Sequence, residues 1–213
     1  MKKSFNKKNK IVINPACKDS NYPAFTLVEM IVSLGIIMII SVIFIANYRS
    51  SNRRTDLIMT AQSLVADIHA AQNNSLGLVK YGAEVPAGGW GINFNKTTNT
   101  YTVFADLEAP LESGHLIFDV NNEGNKALGA RQVILNGEIE IEELRVFSGT
   151  NGSIETTPNQ ANVTFLPPDP KTNIYNHDLL ATGTALTVKL KEKNGEGLRT
   201  VKINFLGLIE MID

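Results

Sequence analysis

The sequence predicts an α+β protein. A long N-terminal α-helix, membrane-spanning in its first half and amphipathic in its second, packs against a C-terminal antiparallel β-sheet domain. Three observations carry this expectation. No charge occurs from Met30 to Ala46, where only Ser33, Gly35 and Ser41 interrupt apolar residues, a run at the lower edge of a membrane span. Leu57, Ala61, Leu64, Ile68 and Ala71 then recur at steps of four, three, four and three, one apolar stripe at helical spacing. From Val85 onward the texture changes to short alternating runs broken by Gly, Asn and Pro, the pattern of strands and turns.

The chain opens on a basic leader. Residues 1–24 carry six lysines against one aspartate, a net +5, whereas the remainder carries 14 basic and 20 acidic residues, a net −6. Lysines ahead of an apolar helix predict a cytoplasmic N-terminus and an exported C-terminal part. The acidic remainder gives no reason to expect nucleic-acid binding. The leader has no clear periodicity and ends on the turn-prone Asn21-Tyr22-Pro23. It differs from a secretory signal peptide, in which the apolar region precedes the cut. Cys17 is the only cysteine, so no intrachain disulfide can form. Ile11-Val12-Ile13 is too short an apolar run to make Cys17 a lipid-attachment site.

The helix is expected to begin near Phe25 and to run to about Leu78, roughly 80 Å at 1.5 Å per residue. Thr26 and Glu29 stand at capping-box spacing. Counted from Phe25, the apolar stretch encloses Glu29. A carboxylate carried to mid-bilayer costs roughly 2.5–3.5 kcal/mol on insertion scales, and a plain anchor has no use for it. Tyr48, Arg49, Arg53 and Arg54 mark an interfacial exit, and Asp56, Gln62, Asp67, Gln72 and Asn73 lie opposite the stripe. Asn74, Gly77 and Gly82 are stop signals, and no proline lies between Phe25 and Val85 to kink the helix.

In the β-region, Trp90–Phe94 and Tyr101–Phe104 flank Asn95–Thr100 as a hairpin with a longish loop. Leu116–Phe118 reads as a strand. Val133–Leu135, Asn136-Gly137 and Ile139–Val146 read as a second hairpin, since Asn-Gly favours a two-residue turn. Val163–Phe165 stops at Pro167-Pro168, and Leu186–Leu190 and Val201–Phe205 flank Asn194–Gly197 as a third hairpin. The domains are thus a leader (1–24), a helix (25–80, with its transmembrane part at 25–46) and a β-rich domain (81–213).

Phe25-Thr26-Leu27-Val28-Glu29, after a lysine-rich leader and before an apolar helix, resembles the cleavage region of type IV prepilins and type II secretion pseudopilins. The resemblance implies that a prepilin peptidase cuts between Ala24 and Phe25, that the new Phe25 amine is methylated, and that Glu29 is the assembly glutamate. The family usually has glycine before the cut, where this chain has Ala24. A physical reason for Glu29 follows: among apolar helices packed away from water, a buried carboxylate is tolerable beside a cation. The Phe25 amine of a neighbouring subunit would supply one. The second helix half, the tryptophan-led hairpin, an aspartate-bearing loop near Asp106 or Asp119, Val163-Thr164-Phe165 and a final hairpin followed by Gly207 are similar to the GspH/FimT group of minor pilins and pseudopilins. Some members bind DNA through a basic C-terminal tail. This chain ends Gly207-Leu208-Ile209-Glu210-Met211-Ile212-Asp213 without an arginine, so nucleic acid is not an expected partner.

Little in the sequence supports catalysis. Asp119-Val-Asn121-Asn-Glu123-Gly124 begins like a calcium loop, but the twelfth position is Ala130 rather than glutamate, and a turn is the preferred reading. His69, His115 and His177 have no neighbouring His or Cys at ligand spacing. Asn73-Asn-Ser75, Asn151-Gly-Ser153 and Asn162-Val-Thr164 match the glycosylation triplet. The expected function is a non-catalytic filament subunit without cofactor or metal. Its expected partners are other pilin or pseudopilin subunits, the prepilin peptidase, the assembly platform and, before assembly, the inner membrane. The alternative is a single-pass membrane protein with an exported β-rich binding domain.

Overall fold

The computed structural model describes residues 25–107, 115–118, 131–149, 152–167 and 171–212. Among these described residues there is helix α1 (Leu27–Leu76), followed by eleven strands. The chain divides into two compact units, Met1–Ile45 and Ala46–Asp213.

In the first unit the helix starts two residues later than expected. Thr26 is its cap: the Glu29 backbone N–H donates to Thr26 Oγ1 at 3.2 Å, satisfying one of the orphan donors of the first turn. Ser33 and Ser41 donate back to the carbonyls of Glu29 and Ile37, both at 2.7 Å. Their hydroxyls are thus satisfied within the helix, as a segment shielded from water requires.

The second unit begins with the rest of α1. All five stripe residues, Leu57, Ala61, Leu64, Ile68 and Ala71, are buried and share one core with the strands. The strands form two antiparallel sheets rather than the single sheet expected. The six-stranded sheet runs β3 (Arg131–Ile134), β2 (Thr100–Asp106), β1 (Gly89–Asn95), β6 (Gln160–Leu166), β7 (Lys171–Asn176) and β8 (Ala181–Gly183). The five-stranded sheet runs β11 (Ile209–Ile212), β10 (Leu198–Asn204), β9 (Ala185–Glu192), β4 (Ile139–Ser148) and β5 (Ile154–Thr156). Ile92, Phe94, Val163 and Phe165 of the first sheet join Ile141, Leu144, Val188 and Val201 of the second in the core. The chain passes from one sheet to the other at Thr184, whose N–H donates to Phe147 O at 2.6 Å.

The first and third expected hairpins are present: Ile92 pairs with Val103, and Val188 with Val201. The second is corrected. Val133 pairs with Tyr101 of β2, and Ile141 pairs with Leu190 of β9, so β3 and β4 lie in different sheets. Asn136-Gly137 does make a turn, closed by Ile139 N–H to Asn136 O at 2.8 Å, but that turn is a corner between sheets.

The reason lies in Asn99. It sits at φ 55° in the β1–β2 turn, a left-handed conformation that asparagine tolerates. Its side-chain Nδ2 donates to Ile139 O and its Oδ1 accepts from Ile141 N, both at 2.8 Å. This carboxamide supplies β4 with the bonds a hairpin partner would have made.

Leu116–Phe118 is also corrected: residues 115–118 form a turn and bend, with Leu116 at φ 67°. The Leu116 N–H donates to Asp106 Oδ2 at 2.6 Å. Its carbonyl accepts from Asn162 Nδ2, Thr164 Oγ1 and Asn173 Nδ2 at 3.0, 3.1 and 3.3 Å. A peptide committed to side chains in this way cannot join a ladder.

Candidate anchoring and assembly site

Leu27–Ile45, 19 residues, is long and apolar enough to cross a membrane. Its large apolar side chains, with that of Phe25, are between 47% and 77% exposed. An uncovered apolar surface of this extent marks a membrane or protein interface. Glu29 lies in the first turn, where a carboxylate complements the positive end of the helix macrodipole. Among the described residues Glu29 has no ion-pair partner. Phe25 and Glu29 therefore stand together at one helix end. Ala24, on the other side of the expected scissile bond, lies outside the described residues, as does the acidic loop Asp119–Gly124.

The second half of the helix is tied to the sheets by polar contacts that the periodicity did not reveal. Tyr101 Oη donates to Asp67 Oδ2 at 2.7 Å, and Arg131 pairs with the same carboxylate. Burial, reinforced by the hydrogen bond to Asp67, pushes the Tyr101 phenol well above its ordinary range. Gln72 Nε2 donates to Gly207 O at 3.1 Å. Gly207 holds φ 78°, and a Cβ there would lie 2.7 Å from Gln72 Nε2. At the helix exit, Ser75 Oγ accepts from Trp90 N at 2.7 Å and Trp90 Nε1 donates to Val79 O at 3.1 Å.

The histidines separate by environment. His69 is exposed on the helix. His115 Nδ1 stands 3.5 Å from the buried Asp106 carboxylate. His177 Nε2 lies 2.8 Å from Asn162 Oδ1, and its ring meets Tyr175 edge-on. Burial holds the His177 imidazole below its ordinary pKa of 6.5, opposed by nearby Asp178. The unfolded chain therefore binds its proton first as pH falls. This contribution to stability is complete above pH 6.5 and declines as pH drops through 6.5 toward the lowered folded value. Urea midpoints between pH 7 and 5 are expected to fall for the wild type and to fall less for His177→Gln, which can still donate to Asn162. Equal slopes would overturn this.

Asn162 and Thr164 are fully buried and Ser75 is buried, so the Asn162 triplet offers no accessible acceptor in the folded protein. Among the described residues no group of three His, Cys, Asp or Glu side chains could hold a metal ion.

Among the described residues, the fold and site define a class: an α+β protein with one long helix, apolar and uncovered over Leu27–Ile45 and part of a β-domain core in its later half. The chain matches no protein-family model, no curated protein and no solved structure.

Proposed function

We propose that this protein is a minor pilin or pseudopilin, a non-catalytic structural subunit of a type IV pilus or type II secretion-like filament. It inserts in the inner membrane with its leader in the cytoplasm. The prepilin peptidase cuts between Ala24 and Phe25, the Phe25 amine is methylated, and the assembly platform takes up the subunit through its N-terminal helix. The filament then lies at the cell surface or in the periplasm. The carrying observation is the conjunction at one helix end: Phe25 through Glu29, a capped first turn, and a 19-residue apolar span with no cover among the described residues.

The arrangement serves both stages. In the membrane, lipid covers the helix. In a filament, neighbouring helices replace the lipid, and Glu29 meets the Phe25 amine of an adjacent subunit, fixing axial register. The uncovered helix equally favours a second reading, a single-pass anchor for an exported β-rich binding domain.

Mass spectrometry of the N-terminal peptide from cells separates them. A methylated chain beginning at Phe25 is the expected result, with Glu29→Ala processed but lost from filaments at least tenfold. A retained lysine-rich leader would overturn the pilin reading in favour of the anchor.

A further inference from the structure

Within the second unit, the helix and the β9–β10 hairpin enclose a cleft of about 580 Å³, to which Arg53, Arg54 and Arg199 contribute. We propose that it binds the phosphodiester of an anionic lipid headgroup. This rests on the membrane-anchored part of the proposed function and assigns the anchored protein a specific lipid.

The cleft is built rather than incidental. Gly195 and Gly197 form a notch filled by the Glu192 side chain: a Cβ on either would lie 2.1 or 2.2 Å from a Glu192 carboxylate oxygen. Glu192 is only 6% exposed and therefore belongs to the wall. The hairpin is seated on the helix at Leu57, whose Cδ2 lies 3.1 Å from where a Gly197 Cβ would stand. Arg199 Nη1 donates to Leu198 O at 3.1 Å, which orients its guanidinium. Arg53 Nε is buried without a hydrogen-bond partner, whereas such groups are ordinarily satisfied.

A tetrahedral oxyanion answers these donors. Guanidinium groups bind phosphate oxygens in fork geometry, with more specificity than a point charge. Glu196 and Glu192 also line the cleft, so its arginines stand beside carboxylates as well as open space. Free phosphate shares this chemistry. The lipid is favoured because Arg53 and Arg54 follow Ile45, the last residue of the apolar stretch, by eight and nine residues. Here the arginines follow the span on its exported side, and the attraction at work is the general one of a basic residue within about a Debye length of a bilayer surface that carries anionic headgroups.

The test uses the full chain in nanodiscs of phosphatidylglycerol or phosphatidylcholine, with lipid retention read by native mass spectrometry and the Arg53 Nε–H resonance followed by NMR. The wild type is expected to retain phosphatidylglycerol over phosphatidylcholine by roughly tenfold or more, on the scale of a few surface cations. Arg53→Gln/Arg54→Gln should lose the preference, and Lys202→Gln, on another part of the β-unit, should keep it. Millimolar inorganic phosphate should leave the retained lipid in place.

Equal retention of both lipids by the wild type, or an unchanged preference in the double variant, would overturn the proposal. So would inorganic phosphate that shifts the resonance and displaces the lipid, which would make the site one for free phosphate. Capture of the arginines by a carboxylate of a second protein chain, with no lipid preference, would overturn it as well. Flotation with neutral vesicles reports insertion separately, so failure of the anchor is distinguishable from failure of the headgroup site.

Discussion

Asn99→Ala is expected to lower the stability of the β-unit by about 3–5 kcal/mol. Two losses contribute. The side-chain bonds to Ile139 O and Ile141 N disappear, and both isoleucines are buried. Each unsatisfied backbone group then costs roughly 1–3 kcal/mol. Alanine must also hold φ 55°, which costs roughly 1–2 kcal/mol outside Gly, Asn and Asp. Asn99→Gly relieves the second loss but not the first, so it should fall between wild type and Asn99→Ala. Asn99→Asp keeps the acceptor for Ile141 N and loses the donor to Ile139 O. Thermal unfolding of the full chain in detergent, followed by the fluorescence of Trp90, the single tryptophan, measures the series. For an effect of this size the midpoint should drop by about 10 °C. A drop under 2 °C for Asn99→Ala would show that the corner between the sheets forms without the carboxamide.

The second large effect divides the helix. Ile68 is 0% exposed and sits in the shared core. Ile68→Ala is expected to cost about 2–5 kcal/mol through lost burial and the cavity left behind. Ile40 has the same side chain in the same helix but is 47% exposed. Ile40→Ala should leave unfolding of the β-unit within about 0.5 kcal/mol of wild type. If the proposed function holds, its effect should appear in membrane or filament association, where its exposed surface would be covered. Equal destabilisation by the two substitutions in the Trp90 assay would refute the division of labour along α1.

The helix was legible because its two signals are local. An uncharged run and a stripe at steps of three and four declare a helix whatever surrounds them, and all five stripe residues are buried. The β1–β2 and β9–β10 hairpins were legible for the same reason, being apolar runs adjacent in sequence that pair with each other. Strands β5, β7, β8 and β11 were not. Lys171-Thr-Asn-Ile-Tyr-Asn176 carries few apolar residues, yet β7 is paired on both sides. Its register with β6 and β8 supplies what its own pattern lacks. The Asn136-Gly137 pair misled because a turn signal states that the chain reverses, not which strand it meets.

The candidate site divides along similar lines. Phe25 and Glu29 are a contiguous motif beside an apolar run, so sequence alone singled them out. The arginine cleft joins Arg53 and Arg54 to Arg199, residues far apart in the chain, and no local pattern connects them. Asp67, Tyr101 and Arg131 meet in the same way.

By itself, then, the sequence determined the long helix, its change from uncovered to amphipathic character, and the glutamate at its start, since spacing and hydropathy act over a few residues. The tertiary structure alone decided that β3 and β4 part into two sheets, and which polar side chains hold the helix to them. Those outcomes turn on hydrogen bonds between residues distant in sequence, such as Asn99 with Ile139 and Ile141. Only the folded chain brings those partners within reach.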